Sequence, residues 1–151
     1  MKTREQERSS EVYTVLTDRF GEDSAKWHCD TGAEKYLGTL KKTTARIYIS
    51  GLGQAIAFVC ARHDAQSTER QAVNELSDLV LVMMGLPGPA RSKGETPSGA
   101  LLEVIREGEL ETMMRATDEA LAAITWLTRY LEGAGVKSDD APEADQGGEG
   151  Q

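Results

Sequence analysis

The chain has 151 residues, of which 39% are apolar, 28% charged and only 5% aromatic, a mixture that suits one helical domain with a real core and leaves little material for a packed sheet. Its net charge is −8, and half of that lies beyond Gly133, where Lys137 stands against Asp139, Asp140, Glu143, Asp145 and Glu149. The rest of the chain is mildly acidic, which excludes coating nucleic acid by bulk charge but permits a local basic stripe.

Val12, Val15, Leu16 and Phe20 recur at helical spacing, so Thr3 to Phe20 reads as a first helix ended by Gly21. After Asp30-Thr31-Gly32 a second periodic segment places Ala33, Tyr36, Leu37, Leu40 and Ile47 on one side and Lys41, Lys42 and Arg46 on the wetter face. Ser50-Gly51 breaks the pattern. From Leu52 to about His63 the next helix carries Leu52, Ala55, Ile56 and Val59 on one stripe and Phe58 and Ala61 on another. A helix apolar nearly all round belongs in the middle of a bundle, with Gln54 as a buried amide that needs a partner.

Thr68 and Gln71 have capping-box spacing and open a fourth helix, with Val73, Leu76, Leu79, Val80, Met83 and Met84 inward. Gly85 to Pro89 stops it, and a loop carrying Arg91 and Lys93 leads to a short helix from Pro97 or Ser98 with Leu101, Leu102, Val104 and Ile105. In the last region Thr117-Asp118-Glu119 looks like a cap followed by acids, so two helices are expected to meet near Ala116. Gly133 closes the second. The expected architecture is all-α, a single compact bundle of about six helices over residues 1–132, followed by a disordered acidic tail over 133–151. Leu52, Gln54, Ile56, Phe58 and Trp126 are the expected core anchors.

The chemistry-bearing patterns are weak. Arg46 to Ser50 followed by Gly51-Leu52-Gly53 imitates a strand entering a dinucleotide-binding turn, but Ile56 stands where a third small residue is needed and no second strand ends in an acid. His28-Cys29 and Cys60-Ala61-Arg62-His63 contain four zinc-type ligands, yet adjacent His28 and Cys29 are badly spaced to share one tetrahedral ion. There is no nucleophile elbow, and only two histidines are available as bases. Neither a catalytic residue, a metal nor a cofactor is assigned. Met83, Met84, Met113 and Met114 form a stripe that suits either core or a plastic protein-binding groove.

Met1 to Ser10 is polar and lacks the apolar stretch of a signal peptide, and the longest apolar run, Leu79 to Met84, falls far short of the ~20 residues of a membrane span. With Cys29 and Cys60 the only cysteines, the expectation is a cytoplasmic protein with no membrane partner.

Gly51-Leu52 with Gln54, Ala55 and Phe58-Val59, then Thr117 through Ala120-Leu121, then Trp126-Leu127 with Arg129-Tyr130, with Tyr36 and Leu40 upstream, resemble in order and spacing the small-subunit family of the type III-B CRISPR effector complex, the Cmr module. The resemblance runs from the first helix to Leu131. It implies a small all-helical subunit without nuclease activity of its own, stacked head to tail with copies of itself beside the backbone and large subunits, helping to form a channel for guide RNA and target RNA. Cleavage would belong to the backbone subunits and cyclic oligonucleotide synthesis to the large one.

On that reading the phosphate contacts are expected among Lys41, Lys42 and Arg46, three cations within six residues, together with Arg62 and Arg129 at family-like positions. The alternative is a helical adaptor or regulator that binds only protein through its Met-rich or Leu-rich surface.

Overall fold

The structure, a computed structural model, describes residues 1–86 and 95–138. Among them are six α-helices, one 3₁₀ helix and no strand: α1 (Arg4–Phe20), the 3₁₀ helix (Ser24–Cys29), α2 (Thr31–Ser50), α3 (Leu52–Arg62), α4 (Thr68–Met83), α5 (Pro97–Glu107) and α6 (Leu110–Gly133). The all-α bundle expected from the periodicity is what forms. Arg91, Lys93 and residues 139–151, most of the expected acidic tail, lie outside the described residues.

Helix α4 lies in the middle of the bundle and, like α6, packs against all five other α-helices. Its buried side chains, Ala72, Val73, Leu76, Ser77, Leu79, Val80 and Leu81, spread over roughly 200° of the helix at 3.6 residues per turn. The buried side chains of α3 are Leu52, Ala55, Ile56 and Val59, an arc of only about 100° by the same geometry. The expectation that α3 sits mid-bundle is therefore corrected. Ala57, Phe58 and Ala61 face outward, and Gln54 is exposed rather than a buried amide. The stripe is closed by α2, α4 and α5, and among the described residues the outward face of α3 has no helix packed over Ala57, Phe58 and Ala61.

Local chemistry explains the ends. At α1 the Thr3 side chain accepts from the Gln6 N–H while the Gln6 side chain accepts from Thr3 N–H, a complete capping box. At α4 the cap is Ser67, accepting from Arg70 N–H at 3.2 Å, one residue before the expected Thr68. The α2–α3 corner is a single residue, Gly51 at φ 90°, a left-handed conformation that glycine adopts without a Cβ clash. Its N–H bonds Ile47 O at 2.9 Å and its carbonyl accepts from Ala55 N–H at 3.0 Å.

No break occurs near Ala116. Thr117 Oγ1 bonds back to Met113 O at 2.9 Å instead of capping a new helix, and Glu119 is buried against α1 rather than serving a helix start. Arg4 Nε donates to Glu119 Oε1 and Arg8 Nε to Oε2, both at 2.9 Å. Burial alone would raise the Glu119 pKa, but the hydrogen bonds from Arg8 and Arg4 outweigh it and hold the carboxyl below its ordinary value. Past Gly133, Val136 N–H reaches back to Leu131 O at 3.0 Å and Gly135 N–H to Glu132 O at 3.0 Å. This is a Schellman closure with Gly135, at φ 90°, in the left-handed position. Val136 is buried, so packed structure extends into the first residues of the segment 133–151 expected as the tail.

The aromatic anchor is Trp27 on the 3₁₀ helix, 1% exposed, with Nε1 donating to Gly21 O at 2.8 Å and its ring beside Tyr13 and Phe20. Trp126, the expected anchor, lies at the margin of the core, with Nε1 donating to Glu5 Oε2 at 2.9 Å. Its polar edge faces the α1 surface, which a fully enclosed ring could not reach. Of the expected anchors, Leu52 and Ile56 are buried, while Gln54, Phe58 and Trp126 are not.

Candidate nucleic-acid interface

Gly51 folds α3 back along α2, and the two helices make one of the most extensive pairings in the bundle. Lys35, Thr39, Lys42 and Arg46 recur on α2 at intervals of four, three and four, so they share one helix face. Opposite them stand Phe58, Val59 and Arg62 of α3, then His63 and Glu69. Together these residues line an open groove of about 380 Å³. Toward the Gly51 corner a second hollow of about 430 Å³, lined by Ser50, Gln54, Ala55, Ala57 and Ala61, shares Arg46 and Phe58 with the first. The two form one trench.

The trench is electropositive, with Lys35, Lys42, Arg46 and Arg62 against the single carboxylate Glu69. That carboxylate lies 3.3 Å from His63 Nδ1, an ion pair when the imidazole is protonated. At the same end Arg70 Nη1 donates to Cys60 O at 3.0 Å and His63 O at 3.1 Å, satisfying the last carbonyls of α3. Arg46 and Arg62 lean on Phe58 and make no hydrogen bond or ion pair among the described residues. Their N–H groups are open to an acceptor.

Of the five cations expected to contact phosphate, Lys42, Arg46 and Arg62 come together here. Lys41 does not. One residue along a helix is a rotation of roughly 100°, and Lys41 turns to α6, its Nζ 3.1 Å from Glu132 Oε2 in a shallow hollow with Thr44, Ile124, Thr125 and Thr128. Arg129 is exposed on α6 and lines neither hollow. Sequence reasoning left Lys35, Thr39 and Glu69 of the groove unassigned, and it gave Phe58 to the core and His63 no binding role. Lys35 was findable, since it precedes Lys42 by seven and Arg46 by eleven, the repeat of one helix face.

Among the described residues no three His, Cys, Asp or Glu side chains converge on a metal position, and no helix is long and apolar enough to cross a membrane. Cys60 contacts Ser98 while Cys29 contacts His28, so the two sequence pairs do not meet. A second surface stands out. Leu110, Met113 and Met114 are exposed on the first turns of α6, flanked by exposed Glu107, Glu109 and Glu111. Met83 and Met84 are half-buried, so the methionine stripe divides between the two environments.

The fold has a counterpart in the crystal structure of a CRISPR-associated Cmr5 family protein from Thermus thermophilus, with a TM-score of 0.60 and 26% identity over 89% of this chain and 98% of that one. Comparison with curated proteins gives no match. The family model Cas_Cmr5, described as a CRISPR-associated protein, matches residues 4–134, which takes in all six α-helices, the trench and the α1–α6 contact. On that extent of agreement the chain belongs to the Cmr5 family of CRISPR-associated proteins.

Proposed function

We propose that this chain is a non-catalytic structural subunit of a type III-B CRISPR (Cmr) RNA-targeting ribonucleoprotein, and that its α2–α3 trench contacts the phosphates of guide and target RNA. The observation that carries the RNA contact is the convergence of Lys35, Lys42, Arg46 and Arg62 on one open groove of a chain whose net charge is negative. Cations without base-reading partners suit a subunit that accepts any sequence. A few such contacts bind weakly in one copy, and stacking of copies along the complex multiplies them. The apolar and acidic surface of Leu110, Met113 and Met114 is the complementary feature, suited to a neighbouring protein subunit or another copy in a cytoplasmic assembly.

The test replaces Lys42, Arg46 and Arg62 together by Ala in the assembled complex. Target-RNA affinity should fall equally across sequences, and the log–log salt slope should drop by about 2 for single strands, ~0.7 per contact. Cleavage at saturating RNA should persist. Normal assembly with unchanged affinity and slope would leave the trench a solvated face and favour the protein-only adaptor.

A further inference from the structure

Two guanidiniums in the trench share one aromatic ring. Arg46 Cζ stands 4.0 Å and Arg62 Cζ 4.9 Å from the centroid of Phe58, so the two charges are no farther apart than the sum of those distances. Phe58 is 36% exposed and belongs neither to the apolar core nor to the side chains packed on its margin. A phenylalanine outside the core gains little from burial. Its close partners here are cations.

The geometry comes from the corner. Arg62 follows Phe58 by four residues, one turn along α3, and Gly51 folds Arg46 of α2 alongside the same ring. The face of the ring attracts a guanidinium through its quadrupole. It accepts no conventional hydrogen bond, so it fixes the position of each cation without using up the N–H donors. Neither arginine has a carboxylate to neutralise it among the described residues. Two like charges held against one ring with their donors unspent suit an anion with several acceptor oxygens, and a phosphodiester fits the edge of a guanidinium.

We propose that Arg46, Phe58 and Arg62 form a phosphodiester clamp in which Phe58 is a positioning residue: it holds the two guanidiniums for one backbone phosphate and stacks on no base. This rests on the RNA-contacting reading and deepens it. Because the ring is engaged by arginines, the clamp takes a sugar-phosphate strand with or without bases.

The test is a titration of the 15N-labelled full chain with a short oligouridine, and in parallel with an abasic ribose-phosphate strand of the same length. Salt is about 50 mM, where phosphate contacts are strong, and the readout is the Arg46 and Arg62 Nε–H resonances. Both strands should shift both resonances with similar affinity. Phe58→Leu should remove the ring-current displacement of the two Nε–H signals in the free protein. It should also weaken both strands by about 3- to 10-fold, the scale of one to two exposed cation–π contacts, and Phe58→Tyr should restore both readouts. In an Arg46→Ala/Arg62→Ala background, Phe58→Leu should have no further effect.

A loss confined to the base-bearing strand, or one that adds to the arginine substitutions, would make Phe58 a stacking platform and overturn the clamp while leaving the RNA reading intact. Loss of binding in the arginine variant with none in Phe58→Leu would remove Phe58 from the site and overturn the clamp, again leaving the RNA reading intact. Equal binding by wild type and the arginine variant would overturn the RNA reading and the clamp with it.

Discussion

Loss of the Glu119 carboxylate should loosen the hold of α6 on α1. Its carboxylate is 3% exposed, and its partners Arg4 and Arg8 are 43% and 17% exposed. Removing one member of a buried ion pair typically costs 3–5 kcal/mol, mostly because the remaining charge is stranded. Water can take over much of Arg4, and Arg8 keeps its ion pair with Glu5, which trims the expected cost of Glu119→Ala to about 2–4 kcal/mol. For a chain of this length that corresponds to a fall in Tm of roughly 5–15 °C.

The pH dependence has a definite sign. The folded carboxyl titrates below its ordinary value of 4.5, so its contribution is fully present above that value and lost as pH falls through the folded pKa. The gap between wild type and Glu119→Gln should therefore be constant near neutrality and shrink on acidification below about pH 4.5. Thermal melts followed by circular dichroism at a series of pH values measure both. A Glu119→Ala melt within about 2 °C of wild type, or a gap unchanged by acid, would refute the argument that this carboxylate clamps α1.

The two tryptophans should separate cleanly in urea unfolding. Trp27→Ala should cost about 3–5 kcal/mol for a fully enclosed ring, whereas Trp126→Ala, at the core margin with one hydrogen bond to an exposed carboxylate, should cost about 1–2 kcal/mol. Equal losses would contradict the assignment of Trp27 as anchor. Lys41→Ala should change stability by no more than about 0.5 kcal/mol, because its pair with Glu132 is exposed. It should also leave RNA affinity and salt slope as they are, and a loss matching that of Lys42→Ala would move the RNA path to the α6 side.

The helices were legible where the signal was local. Gly21 and Ser50-Gly51 end α1 and α2 as periodicity and turn chemistry require, because a cap or a left-handed residue is settled within a few neighbours. What failed depended on distant partners. Thr117-Asp118-Glu119 has the local form of a helix start, but Glu119 is taken by arginines 115 and 111 positions away, and nothing near Ala116 reports that. Trp27 sits among Lys26, His28, Cys29 and Asp30, a polar setting that hides its burial, whereas Trp126 lies in an apolar run that exaggerates it. In the trench, helical register was enough to group Lys35, Lys42 and Arg46 and to set Lys41 apart. Only the fold of α3 onto α2 shows Arg62 and Phe58 to be their neighbours.

The contact between α1 and α6 also sets an order of events during synthesis. Arg4 leaves the ribosome 115 residues ahead of Glu119. At roughly 5–20 residues per second the wait is on the order of 6–20 s. Over that interval α2, α3, α4 and α5 can collapse on one another, while Val12 and Leu16 of α1 lack the part of their cover that α6 supplies. Among the described helices α1 is made before the others yet is among the last to be locked down, so its apolar face waits longer than theirs for cover, open to chaperones and to other nascent chains.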